Sequence, residues 1–558
     1  MGIRKKTKEV NTSIQLRSKN KRLLDISYLV LKGLTILLVL VFILYPFLAV
    51  FGKALYRDGS FNFSEFLFLQ DEFHLVKNSL LSATLTASLS TLFALALSLM
   101  TFFITERQKN LIMFILLLTL VSPPFIGALT YIELFGRNGF ITRDILNLSI
   151  NPYGLWGIVS VQTLGYTSLN AVLLIGYLEA FDHTMIDSAK SLKATTTRIL
   201  IDIIIPLMKP ALAVCFLLSF IRAMADFSSP MIIGGAFNTL ATESYLSIIA
   251  KGNPSRASAM SIILFVPSII VFIIYSHFLK EQQRASKNLR QAYSRMKKTG
   301  LYHLVRLLAY FFILWLIIQY LAIFTSAFTD KYRGEIYFTL QNIIDTVPYI
   351  KDSFLRSIIY SIIAGFFASL IGLILSYYSY IMKDKLAKLV DFISNMPYIV
   401  PGTFFGLGYV FAFNNEPLKL TGTIAIVLLN LIFRQLPMSL RAIQSSMSQI
   451  ERATINSAKD LGAHNLYILK DMVLPMCYPG LFLSFANAFI SSMTTIGSII
   501  FLVYPSRKLA TFVLFELVSS GKYKIASVLS CLIIIVCLSV SLLSRRIFNR
   551  GSKNVSTS

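Results

Sequence analysis

The sequence predicts an all-α integral membrane protein of about twelve transmembrane helices, built as two parallel six-helix repeats. Three observations carry this. Of 558 residues, 55% are hydrophobic and only 14% are charged, with a mean hydropathy of +0.68. So few charges could not cover so much apolar surface in water. Apolar runs of the roughly 20 residues that a spanning helix needs recur along the whole chain. Finally, one partly polar segment occurs twice without gaps, 269 residues apart: IDSAKSLKATTTRILIDIIIPLMKPAL from Ile186 to Leu212, and INSAKDLGAHNLYILKDMVLPMCYPGL from Ile455 to Leu481.

The elements follow in order. Residues 1–26 form a basic arm, with Arg4, Lys5, Lys6, Lys8, Arg17, Lys19, Lys21 and Arg22 against Glu9. The first half, 27–279, holds spans near 27–51, 78–104, 110–135, 153–180, 209–236 and 257–279. The run from Ile26 to Phe51 is too long for a signal-peptide core and lacks a small-residue cleavage site, so it reads as a retained span. A basic linker follows at 280–302, carrying Lys280, Arg284, Lys287, Arg290, Arg295, Lys297 and Lys298 against Glu281. The second half, 303–544, holds spans near 303–327, 353–381, 386–413, 420–444, 477–503 and 524–544, and a basic tail closes the chain at 545–558.

Clustered Lys and Arg mark the cytoplasmic side of a membrane protein. An even number of spans per half gives both halves the same orientation, as in a parallel repeat. With the N-terminus inside, both repeated segments, the linker and the C-terminus fall on the cytoplasmic face. The net charge of +25 thus belongs to flanks of spans and to anionic lipid headgroups. Nucleic acid is excluded as a partner, because no basic module interleaved with aromatics lies outside the spans. Cys215, Cys477, Cys531 and Cys537 sit in apolar surroundings without a CxxC spacing, so neither disulfides nor zinc are indicated. The five histidines are scattered, and no metal site is expected.

Within the repeat, Thr184 can cap a helix whose third residue is Asp187. Ile186, Ala189 and Leu192 then recur on one face, as do Ile455, Ala458 and Leu461. Gly462 supplies a helix stop in the second copy. A second helical stretch runs to Pro206 or Pro475, and the next span begins at Pro210 or Pro479. A short transverse helix joined to a span in this way can carry a push from a soluble partner into the membrane.

These residues resemble the EAA loop of bacterial ABC transporter permeases, with Asp187-Ser188-Ala189 and Lys193 in one copy and Asn456-Ser457-Ala458 and Gly462 in the other. Neither copy has the leading glutamate of that pattern, and Lys193 replaces its glycine. The resemblance implies a type I (MetI-like) ABC importer permease fold, in which coupling loops at about 182–208 and 446–476 dock into a cytoplasmic ATPase. The implied coupling residues are Asp187, Ala189, Leu192, Lys193 and Ala194, with Asn456, Ala458, Leu461, Gly462 and Ala463. Phrases such as PGTFFGLGYVFAFN (401–414), SMTTIGSIIFLV (492–503) and ADFSSPMIIGG (225–235) are similar to fused permeases of ferric-iron uptake. Related permeases carry thiamine, polyamines or aminoethylphosphonate. The implied setting is a bacterial plasma membrane. The implied partners are two copies of an ABC ATPase, which hold ATP and Mg, and an extracytoplasmic solute-binding protein.

The chain itself binds no cofactor on this reading and is not an enzyme. Gly52-Lys53 and Gly521-Lys522 both lack the upstream glycine and the following hydroxyl of a phosphate-cradling loop. An ion-gradient-driven secondary transporter or a channel could share the span count, but neither needs paired docking segments. Inside the spans, Arg222 and Asp226 are four residues apart and can pair on one helix face, as part of a translocation pathway, a gate, or a packing element. Ser491 and Thr495 hold the equivalent positions in the second half. Arg434 and Arg441 flank Pro437 and read as packing or interfacial residues.

Overall fold

The computed structural model describes residues 22–57, 60–180, 184–285, 296–298, 300–332 and 335–556. Most of the expected basic arm (1–21) and much of the linker (286–295 and 299) lie outside the described residues.

The first half contains α1 (Arg22–Leu55), α2 (Phe73–Met100), α3 (Glu106–Leu120), α4 (Phe125–Phe135), α5 (Leu155–Glu179), α6 (Thr184–Ser191), α7 (Thr196–Ala225), α8 (Leu240–Ile249) and α9 (Pro254–Ala285). The second contains α10 (Gly300–Phe328), α11 (Gln341–Ile381), α12 (Lys385–Ile393), α13 (Gly402–Ala412), α14 (Ile424–Met447), α15 (Arg452–Asp460), α16 (Tyr478–Thr494), α17 (Ala510–Ser519) and α18 (Tyr523–Ser556). Two short hairpins, Tyr56–Arg57 with Ser60–Phe61 and Thr329–Tyr332 with Glu335–Phe338, are the strands among the described residues. The 269-residue register runs well beyond the repeated segment: α5 and α14 begin at Leu155 and Ile424, and α9 and α18 at Pro254 and Tyr523.

Among the described residues, nine helices are long and apolar enough to cross a membrane, or up to eleven if each of two bent pairs counts as one. Four expected spans are interrupted, each for a local reason. At 110–135 the chain turns by 101° between α3 and α4, where Pro123 and Pro124 remove successive backbone donors. At 386–413 the chain forms α12, a turn at Met396–Ile399 and α13, interrupted around Pro397 and Pro401. At 209–236 the helix ends at Ala225, because Asp226 is extended and its carboxylate accepts from the N–H groups of Ser228 and Ser229, starting a new turn. At 477–503 a 73° bend precedes α16, which then ends at Thr494.

The helices pack through small and hydroxylated faces. On α2, Ser79, Ala83, Thr86, Ala87, Ser90 and Ala94 are buried, and Thr86 Oγ1 donates to Gln162 Oε1 of α5 at 2.9 Å. Such residues let helix backbones approach where no water drives apolar groups together. Ser79 satisfies its hydroxyl on the Leu75 carbonyl one turn back, at 2.8 Å, which makes serine tolerable at this depth.

The first helix of each half is exchanged. Val39, Ile43 and Val50 of α1 share a core with Phe404, Tyr409 and Leu431 of the second half. Tyr409 donates to the Phe42 carbonyl of α1 at 2.8 Å. Reciprocally, Phe312, Leu316 and Tyr320 of α10 share a core with Leu116, Phe125 and Leu129 of the first half. Each half therefore grips the other by one helix.

Candidate functional site: paired repeat segments and a polar cavity

Helix α6 and helix α15 close with the same hydrogen bonds at the same register. The N–H of Ala194 reaches the Ala189 carbonyl at 3.0 Å, and that of Lys193 reaches Lys190 at 2.9 Å. In the second copy Ala463 reaches Ala458 at 3.0 Å and Gly462 reaches Lys459 at 2.9 Å. This is the Schellman closure, which requires a left-handed residue just past the helix. Lys193 (φ 59°) and Gly462 (φ 80°) both supply it. The missing glycine of the first copy thus leaves the geometry intact, at a strain of roughly 1 kcal/mol for a side chain in that region.

The closure sorts the expected stripe into two parts. Ile186 and Ala189 are 1% and 9% exposed, and Ile455 is 6% exposed, so these residues anchor the helices to the body of the protein. Ala458 packs partly buried against the second core. The chain reversal turns Leu192 and Leu461 the other way, to 84% and 88% exposure. The surface left for a partner is therefore these two leucines with Asp187 and Lys193 in one copy, and Asn456 and Gly462 in the other, all exposed. Sequence periodicity put Ile186, Ala189 and Leu192 on one exposed face, and Ile455, Ala458 and Leu461 on another; the left-handed residue after each helix separates the leucines, which are exposed, from Ile186, Ala189 and Ile455, which are buried. Thr184, expected as a cap, is the first residue of α6, and positions 181–183 lie outside the described residues.

Beyond the closures the copies diverge. Thr195 caps the next turn by accepting from Arg198 N at 3.4 Å, and α7 continues through Pro206 and Pro210 without the expected interruption. At the matching position His464 caps through Nδ1, which accepts from Leu466 N at 3.2 Å, and its Nε2 lies 3.0 Å from Asp25 of α1. Tyr377 donates to the Asn465 carbonyl at 2.7 Å, tying the second segment to α11. Both copies contain a π-turn, Ile199–Ile204 and Ile468–Val473, but only the second then bends, at Cys477. Gly480 explains where α16 goes: a Cβ there would sit 2.4 Å from Ser446 Cβ of α14, so the two backbones approach closely. Its first-half counterpart is Ala211, and the counterpart of Ser446 is the bulky Tyr177, whose hydroxyl donates to the Leu207 carbonyl at 3.0 Å.

Arg222 and Asp226 do not form the ion pair that their spacing allowed. The Asp226 carboxylate is taken by Ser228 N (2.9 Å), Ser228 Oγ (2.5 Å), Ser229 N (3.3 Å) and Gln162 Nε2 (3.0 Å). Both residues instead line a cavity of about 230 Å³ beside the α3–α4 bend, closed by Gln162, Tyr166 and Tyr320. Ser122 and Tyr320 share a 2.8 Å hydrogen bond across it, between the first half and the exchanged α10. Ser491 and Thr495 are not on its walls. Thr495 ends α16 as Asp226 ends α7, and its carbonyl accepts from Thr511 Oγ1 at 2.9 Å.

Arg434 sits beside the break between α12 and α13 of the second half. Its guanidinium donates to the Pro397 and Val400 carbonyls freed at the break between α12 and α13, and it lies 5.8 Å from the Phe405 ring centre. Arg441 donates to Asn395 Oδ1 at 3.2 Å. The first-half counterpart of Arg434 is Gly165, which lines the cavity. The sequence signal was present in the repeat register, as a glycine opposite an arginine, and Gln162, Tyr166, Ser122 and Tyr320 were missed with it.

The sequence profile of the family described as "Binding-protein-dependent transport system inner membrane component" matches residues 90–283 and again 363–553, together more than half of the chain. Relatives named as ferric transport system permeases FbpB are similar over most of the length. That of Actinobacillus pleuropneumoniae is 27% identical over 524 residues, covering 91% of this chain and 76% of its own. That of Haemophilus influenzae is 29% identical over 485 residues, covering 84% and 77%. A spermidine/putrescine transport system permease, PotC of Escherichia coli K12, is 28% identical over 206 residues, covering 37% of this chain and 72% of its own.

Proposed function

This chain belongs to the family of binding-protein-dependent transport system inner membrane components, and on that premise we propose that it is the two-half permease of an ATP-driven importer for ferric iron. The observation that carries the proposal is the pair of coupling segments, each ending in one exposed leucine at the same register. A twofold partner would need such a pair. Two ATPase subunits would each receive one leucine, one at Leu192 and one at Leu461. ATP binding draws the ATPases together, and α6 and α15 follow because Ile186, Ala189 and Ile455 are anchored in the body. The motion passes into α7 and α16 and switches the pathway between inward- and outward-facing.

Both termini lie in the cytoplasm on this reading, and an extracytoplasmic binding protein delivers the solute from the other side. Iron is favoured over polyamine by extent: the ferric relatives match across both halves, whereas the polyamine relative matches 37% of the chain.

The test is uptake of labelled ferric iron into proteoliposomes that hold this chain, its co-purifying ATPase and the neighbouring binding protein. Accumulation that requires all three components and ATP supports the proposal. Accumulation of spermidine instead of iron would move the substrate and keep the importer. Uptake driven by an ion gradient without the ATPase would overturn it.

A further inference from the structure

The cavity beside the α3–α4 bend holds a cation without a protein acceptor. Arg222 presents five N–H donors and no acceptor, yet among the described residues its side chain finds no carboxylate or carbonyl partner. Asp226, the carboxylate nearest in sequence, already takes four hydrogen bonds that start the next helix. A lone guanidinium at membrane depth is costly unless water or an anion offsets it. The amide of Gln319 also lines the cavity and can turn its N–H2 toward an oxygen-rich ligand, while the Ser122 hydroxyl donates to the Leu118 carbonyl and accepts from Tyr320.

A bare trivalent cation does not suit such a chamber. No three His, Cys, Asp or Glu side chains among the described residues converge as metal ligands. The volume of about 230 Å³ suits a small oxyanion and its water. Gly165 lines the cavity at the position that Arg434 holds in the second half, and nothing stands within 4 Å of where its side chain would be.

We infer that this cavity is a binding site for a small oxyanion of the phosphate or carboxylate class, held by Arg222, and that ferric iron passes through the first half as a complex carrying such an anion. The second clause rests on the proposed iron importer; the first does not.

Purified full-length chain in lipid nanodiscs is titrated with radiolabelled inorganic phosphate and with radiolabelled citrate, each alone and with ferric iron. The expected result is saturable binding of at least one anion, weakened about tenfold or more in Arg222→Gln, a loss in keeping with removing a charge-assisted contact. Arg222→Lys should bind between the two. Gly165→Phe, which occupies the cavity without adding charge, should bind no anion and tests the site independently should Arg222→Gln fold poorly. Binding of the anion alone identifies the free oxyanion as ligand, and binding only with iron identifies the ferric complex; both uphold the site. Absence of binding by wild-type protein, or unchanged binding in folded Arg222→Gln and Gly165→Phe, overturns it. Nucleotide-dependent iron uptake is read separately, so the importer can survive the loss of this site, and the site the loss of the importer.

Discussion

The two repeated segments present the same end and conduct away from it differently. Both close with identical hydrogen bonds and expose one leucine. The first then continues straight into α7, a single helix from Thr196 to Ala225 whose far end carries Arg222. The second is clamped to α1 by His464 and to α11 by Tyr377, and bends by 73° before α16. A duplicated segment can thus keep its docking geometry while its mechanical link changes. Docking depends on a few backbone bonds within one turn; the link depends on which residues meet some ten positions later.

The largest expected effects break what the halves share. Ala458→Glu places a charge against the second core, where an unpaired ionised group is heavily penalised; iron uptake should be abolished while the protein remains in the membrane. Wild-type uptake by that variant would refute the coupling role of α15. Next is the difference at the bend. Gly480→Leu collides with Ser446 and should destabilise the protein by about 1–3 kcal/mol, the usual range for overpacking. Thermal unfolding in nanodiscs reads this, and an equal cost for Ala211→Leu would erase the contrast between the crossings.

Smaller effects sharpen the comparison. His464→Ala removes a cap and the contact to Asp25, and should cost about 0.5–2 kcal/mol. Hydrogen exchange should then rise at the start of α1 and around Asn465, and no change there would mean the clamp is idle. The smallest concerns the left-handed residue. Lys193→Gly should stabilise the first closure by up to about 1 kcal/mol, and Gly462→Lys should weaken the second by a similar amount. The two changes should have opposite signs in unfolding measurements.

Much of the fold was legible because burial in lipid writes itself into composition: long apolar runs gave the spans, and the 269-residue repeat gave the two halves. The exchange of α1 and α10 was not legible, since both are equally apolar and which half each packs on depends on contacts hundreds of residues away. Two of the four breaks were visible only as prolines, at 123 and 124 and at 397 and 401, set within otherwise apolar runs. At the repeated segments, periodicity put all six residues on partner-facing surfaces; Leu192 and Leu461 are exposed, whereas Ile186, Ala189 and Ile455 are buried, a separation set by one backbone angle after each helix. Spacing likewise allowed a pair between Arg222 and Asp226, and the short helix at Ser228–Ile233 claimed the carboxylate instead.

The central claim is that Leu192 and Leu461 each meet one ATPase subunit. The measurement is cysteine cross-linking of Leu192→Cys and Leu461→Cys, singly, to the co-purified ATPase; the native Cys215, Cys477, Cys531 and Cys537 are buried and give little background. Cross-links from both positions, with none from the buried control Ile186→Cys, are the predicted result. Failure of both leucine positions while the ATPase remains bound would contradict the account.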